Sequence, residues 1–176
     1  GGIPVDDGSW DMQEHCQALL AHAGYAQYEV SAYARAGRQC AHNLNYWRYG
    51  DYLGIGAGAH GKLTLGSEQT VLRRWKVKHP GQYLVQAGHP GAIGGDDRID
   101  PERRPFEYML NALRLVDGFT VTEFEARTGL RREAIEPGLR QAAAAGWLAQ
   151  DAAGRIRPTE LGRRFTNDVV SLFLDS

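Results

Sequence analysis

His42-Asn43-Leu44-Asn45-Tyr46-Trp47, followed from Gly50 to Gly61 by Gly-Asp-Tyr-Leu-Gly-Ile-Gly-Ala-Gly-Ala-His-Gly, is the stretch on which the reading of this chain turns. The first run places imidazole, amide, phenol and indole groups side by side. The second is permissive in φ and nearly bare of side chains. A flat aromatic ligand needs both: groups that stack on it or ligate it, and backbone that can come close to it. Gly56-x-Gly58-x-x-Gly61 also matches a dinucleotide fingerprint letter for letter. Its context fails, because Lys62-Leu63-Thr64-Leu65 reads as extended where a helix must begin, and no acidic residue follows about 20 positions on at a strand end.

The chain has 176 residues, enough for one or two domains. Hydrophobic residues make up 43% and charged residues 23%, as in an ordinary globular protein. The formal net charge of −1 supplies no field to draw nucleic acid or an anionic membrane. No apolar stretch approaches the roughly 20 residues of a membrane-spanning helix, and no signal peptide is visible at the start. Two cysteines, Cys16 and Cys40, do not make a disulfide framework, which points to a reducing cytoplasm.

Outward from the central stretch, Asp11 to Ala23 predicts an amphipathic helix. Met12, Cys16, Leu19, Leu20 and Ala23 recur at helical spacing, Ser9 caps the start and Gly24 ends it, which makes Cys16 a core residue. Gln27 to Tyr33 alternates as a strand, with Tyr28, Val30 and Ala32 on one face. Helix then strand fits the βα repetition of a barrel or doubly wound sheet. Leu53 to Ala57 suits a buried strand. Lys62–Leu65 and Thr70–Val77 flank Gly66-Ser67-Glu68-Gln69 as a hairpin, and Pro80 to Gly88 carries a short helix. Gly91 to Pro101, rich in Gly, Asp and Pro, is the boundary between a first part, 1–97, and a second, 98–176. In the second part, helices are expected over Pro105–Val116, over Val121–Thr128 behind the capping box Thr120-Val-Thr-Glu123, and over Glu133–Ala145 with Pro137 in its first turn. Two short strands, Trp147–Gln150 and Arg155–Arg157, lead to a last helix over Thr159–Phe173. Three helices, a β-ribbon and a final helix make a small α+β winged-helix-like domain.

His42 to Trp47 resembles the HNxxYW motif of the HemW-type heme chaperones, a branch of the radical S-adenosylmethionine proteins similar to oxygen-independent coproporphyrinogen III oxidase. The resemblance continues through Tyr28 to Ala34, Tyr52 to Gly61 and Arg73 to Pro80, and more loosely from Pro105 to Leu174. It implies an α/β fold, the truncated C-terminal part of a radical-SAM partial TIM-like barrel, ahead of the winged-helix-like domain. The family holds a 4Fe–4S cluster through a CxxxCxxC run near its N-terminus. Cys16 and Cys40 cannot supply that triad, so S-adenosylmethionine and the cluster are expected only in the full-length protein. The chain is therefore read as the C-terminal part of a longer protein, inactive in radical chemistry by itself.

By the same resemblance His42, Asn43, Tyr46 and Trp47 form a heme-binding element. His42 ligates the iron as its one metal contact, Asn43 holds the other ring nitrogen, Tyr46 shares the face of His42 if the run makes a helical turn, and Trp47 covers a porphyrin edge. The plainer alternative is that His42 and Asn43 cap a turn while Tyr46 and Trp47 fill the core. Gly54, Gly56, Gly58 and His60 are expected at the rim of an S-adenosylmethionine or substrate cavity, where such barrels place strand ends. Arg73 and Arg74 are candidates for porphyrin propionates, or else charges that protect an edge strand. His42, His60 and His79 do not have the spacing of a local zinc site. Cys40 is a spare thiol close to His42.

The expected partners are heme or a porphyrin and a heme-acceptor protein, with neither nucleic acid nor a membrane span. Strands cut from a barrel also predict either a second copy pairing with them or a loop covering their edge. Three functions stand side by side: a heme chaperone, the C-terminal part of a coproporphyrinogen III oxidase in porphyrin biosynthesis, and a winged-helix binding module. Against DNA binding, residues 98–176 carry 12 basic and 12 acidic side chains, and the third helix carries Glu133 and Glu136 beside Arg131, Arg132 and Arg140 rather than a basic stripe.

Overall fold

The structure, a computed structural model, describes residues 6–66 and 70–174. Helix α1 (Asp6–His22) starts ahead of Ser9, the residue expected at its start. Gly24, at φ +79°, turns the chain out of the helix as predicted. The expected buried face is not buried: Met12, Cys16 and Leu19 are exposed. Among the described residues the helix packs chiefly on β1 (Ala26–Glu29), which leaves much of the expected apolar stripe facing outward.

The stretch 27–33 is not one strand. It folds back as a hairpin of β1 and β2 (Ala32–Ala34) because the buried Glu29 carboxylate accepts hydrogen bonds from the Ser31 N–H at 3.2 Å and the Ser31 hydroxyl at 3.1 Å. Tyr28, Val30 and Ala32 therefore do not share a strand face, and the βα repetition is not formed. Helix α2 (Ala41–Trp47) follows.

A second sheet has the order β3-β4-β5, from β3 (His60–Leu65), β4 (Thr70–Lys76) and β5 (Ile93–Ile99), and both pairings are antiparallel. The predicted β3–β4 hairpin is formed, though its Ser67–Gln69 turn lies outside the described residues. The Gly91–Pro101 stretch, read as a boundary, holds β5. That makes β4 the central strand, which overturns its reading as a charged edge. Leu53–Ala57 is not a buried strand but an open loop with Leu53 75% and Ile55 85% exposed. Positive φ at Gly56 (+112°) and Gly58 (+69°) breaks the extended run. Tyr52, from this loop, pairs with Lys62 across the outer side of β3, through bonds of 3.0 and 2.9 Å.

Helix α3 (Pro80–Gln86) ends ahead of Gly88. Beyond β5 come α4 (Arg104–Ala112), β6 (Phe119–Thr120), α5 (Val121–Thr128), α6 (Glu136–Ala144), β7 (Leu148–Gln150) and β8 (Arg155–Pro158). The Thr120–Glu123 capping box forms in both directions, and Pro137 sits in the first turn of α6. The third sheet has the order β6-β8-β7. Gly118, at φ +62°, lets β6 approach β8, since a Cβ there would fall 1.9 Å from the Ile156 carbonyl oxygen. The expected last helix is two: α7 (Glu160–Arg164), capped by Thr159, and α8 (Thr166–Ser171). The break comes at Phe165 (φ −111°, ψ 32°), which stacks on Trp147, while the Thr166 hydroxyl bonds back to the Arg163 carbonyl at 2.9 Å.

One hydrophobic core runs through the molecule. Tyr108, Phe119, Phe124, Ile135 and Phe173 pack with Tyr49, Val71 and Ile99. The three sheets are small and open, and no described helix is long and apolar enough to cross a membrane.

Candidate functional site

Ala41 to Trp47 makes two turns of helix, so His42 and Tyr46, four residues apart, share a face. The His42 side chain is exposed. Its neighbour Asn43 does not serve the imidazole as expected: its amide donates to the Tyr28 hydroxyl at 3.3 Å, and the Cys40 N–H reaches the same oxygen at 3.4 Å. Asn43 is thus a fastening for the start of α2, held on β1. Tyr46 packs edge-on against Trp47 at 4.9 Å between centroids and tilts against Tyr52 at 5.3 Å. Trp47 is half-buried beneath the Arg114 guanidinium, 5.2 Å from its ring, and its indole N–H is buried with no partner among the described residues.

The end of α2 is tied as firmly. Tyr49, at φ +56°, turns the chain, and its carbonyl accepts from the Lys62 ammonium at 2.9 Å. That ammonium also donates to Asp51 Oδ1 at 3.0 Å and to the Thr64 hydroxyl at 3.3 Å, and lies 4.0 Å from the Tyr49 ring centroid. Asp51 in turn accepts from the Thr64 N–H at 2.9 Å and the Thr64 hydroxyl at 2.8 Å, while its own carbonyl accepts from the Asn45 amide at 2.9 Å. Burial lowers the pKa of Lys62, and Asp51 offsets that only in part. Burial alone would raise Asp51, but the bonds from Thr64 and Lys62 outweigh it and hold the carboxyl below its ordinary range. Burial raises the phenols of Tyr49 and Tyr52. Sequence reading treated Lys62 only as the first residue of a hairpin strand and missed this cluster. Nothing in the local pattern links it to Asp51, 11 residues earlier.

The glycine loop is used by the protein itself. The Gly56 N–H donates to the Tyr83 hydroxyl at 3.1 Å and the Gly58 N–H to the Val77 carbonyl at 2.9 Å. Gly54 lies against β3 so closely that a Cβ would stand 2.4 Å from the His60 carbonyl oxygen. His60 is exposed, with its ring stacked on Trp75 at 6.2 Å. Gly61 lies within β3, not ahead of a helix, in keeping with the extended reading of Lys62–Leu65. Arg73 pairs with Glu107, and Arg74 grips Asp96 through two bonds of 2.6 and 2.9 Å. Both arginines thus hold carboxylates of this chain. His79 Nδ1 accepts from the Gln82 N–H at 3.4 Å and caps α3. Among the described residues no three His, Cys, Asp or Glu side chains converge as a metal site would require.

The HemN C-terminal domain family matches residues 99–165. The heme chaperone HemW of Escherichia coli (strain K12) is 43% identical over 177 residues, covering 98% of this chain and 44% of that protein. The heme chaperone HemW of Haemophilus influenzae is 42% identical, with 98% and 43% covered, and that of Bacillus subtilis 28%, with 98% and 44% covered. The solved structure of the Escherichia coli coproporphyrinogen III oxidase HemN, a radical SAM enzyme, has the same fold. Its TM-score is 0.66 at 18% identity, over 98% of this chain and 42% of that one. The chain spans less than half the length of the relatives it matches. Residues 99–165 match the HemN C-terminal domain family, and the chain as a whole is similar to the C-terminal portion of the HemW proteins.

Proposed function

We propose that this chain is the heme-presenting part of a HemW-type heme chaperone, with heme as its cargo and His42 as the iron ligand. The observation that carries the reading is the division of labour within the motif. Asn43, Asn45 and Trp47 are engaged by Tyr28, Asp51 and Arg114, whereas His42 is exposed on the face it shares with Tyr46. An exposed imidazole on a helix pinned at both ends is a suitable donor for ferric or ferrous iron, and Tyr46 offers an aromatic edge beside it. A cargo that must be handed on calls for such an open site rather than an enclosed pocket, because release is part of the task.

Two exposed, free thiols, Cys16 and Cys40, suit a reducing cytoplasm. They stand on separate elements and do not form the donor set of a 4Fe–4S cluster, so no radical step is assigned to residues of this chain. We read residues 98–176 as a winged-helix-like domain that docks over the site rather than onto DNA. Arg132, just ahead of α6, bonds Glu136 at 2.6 Å, and α6 itself presents no basic stripe. A heme-acceptor protein is the partner such a chaperone requires.

Titrating the protein with hemin tests the assignment. The Soret band should shift on binding, and His42→Ala should weaken binding at least roughly tenfold and return the band toward that of free hemin. No shift, or a shift that His42→Ala leaves unchanged, overturns it.

A further inference from the structure

Resting on the heme reading above, we propose that Lys62 is the positioning residue of the site: through Tyr49 and Asp51 it holds α2 at the angle that presents His42 and Tyr46 together. The Lys62 side chain is 4% exposed, yet its ammonium satisfies three oxygens and the face of one ring. Every one of those partners bears on the segment that ends α2 or on the strand facing it. The Tyr49 carbonyl belongs to the residue whose left-handed backbone turns the chain just after Trp47. Asp51 holds Asn45, the middle of the helix, through its carbonyl, and the Gly50 N–H closes the same turn on the Asn45 carbonyl at 2.8 Å. Gly50 is packed so tightly there that a Cβ would fall 2.1 Å from Asn45 Oδ1. Tyr52, paired with Lys62 through both backbone bonds, carries the ring on which Tyr46 leans.

A buried ammonium is costly unless fully paired, and here the pairing is complete. Withdrawing it strands the carbonyl of the buried Tyr49 and removes the charged partner of the Asp51 carboxylate. The loop 49–52 then relaxes, and α2 relaxes with it, because Asn45 and Tyr46 are fixed to that loop rather than to the core. Lys62 itself touches neither His42 nor any ligand; it acts through the turn.

Three variants separate positioning from simple loss of stability. Lys62→Met keeps the length and removes the charge. Asp51→Asn keeps the shape, weakens the same tie and stands in if Lys62→Met does not fold. Val169→Ala opens the core from α8, on which no residue of the tie stands, and serves as the control. In the ligand-free protein the amide resonances of Ala41–Trp47 should move in Lys62→Met and Asp51→Asn and stay in place in Val169→Ala. With hemin, the first two should bind about tenfold more weakly, with a displaced Soret maximum, and Val169→Ala should match the wild type. Unmoved α2 resonances in a folded Lys62→Met or Asp51→Asn protein, or the same changes in Val169→Ala, overturn the proposal. A wild-type protein with no hemin spectrum overturns the heme reading instead, and the resonances still decide whether Lys62 sets the helix.

Discussion

Asp51 gathers more ties than any other carboxylate near the motif, and its charge gives the protein a pH signature. Hydrogen bonds from Thr64 and Lys62 hold its carboxyl below the ordinary value of 3.8 despite burial. A carboxyl with a depressed folded pKa stabilises the fold in full above its ordinary value. It gives that contribution up as pH falls from there through its folded value. Unfolding free energy should therefore decline as the pH drops below about 4, and Asp51→Asn should flatten that part of the acid limb. Denaturant titrations at successive pH values check this; an unaltered acid limb counts against the tie. At this scale, local spacing was informative and long loops were not. His42 and Tyr46 could be placed on one face because four residues along a helix fix their relation. The Asn43–Tyr28 and Lys62–Asp51 contacts span 15 and 11 residues and depend on how the glycine loop folds, which no periodicity reports.

Among the elements, α5 shows how much a terminus can rest on two side chains. Thr120 Oγ1 accepts from the Glu123 N–H at 3.1 Å, and Glu123 Oε2 accepts from the Thr120 N–H at 2.7 Å. Thr120→Ala should cost about 1 kcal/mol of stability and lower the thermal midpoint by several degrees, read by calorimetry. This cap, the β3–β4 hairpin and α3 were all legible because each is encoded within a few adjacent residues. The elements that differed from expectation did so for tertiary reasons. Residues 27–33 alternate as a strand should, yet the Glu29–Ser31 contact bends them into a hairpin. Leu53 and Ile55 read as core, yet two glycines of positive φ carry them out to solvent. A continuous last helix is interrupted because Phe165 turns aside to stack on Trp147.

Over the whole molecule, the aromatic packing joins what the sequence divides. Tyr49, directly after the motif helix, meets Tyr108 edge-on at 5.8 Å, and Tyr108 meets Phe124 at 5.2 Å and Phe119 at 5.4 Å. Phe124→Ala, at a fully buried position, should cost about 3–5 kcal/mol. It should lower the midpoint of a single transition that far-UV CD and Trp fluorescence report together; two separated transitions would contradict one shared core. A composition shift near Gly91 suggested a seam because glycine and aspartate are abundant there. The antiparallel partner that turns those residues into β5 lies some 20 residues upstream, beyond the reach of local composition. The covered outer side of β3 carries one more consequence. Its Lys62 and Thr64 amides are already answered by Tyr52 and Asp51 of the same polypeptide. No foreign segment finds a template along that flank, so fibrils seeded by lateral strand addition have no foothold there even in a crowded, newly made pool of chains.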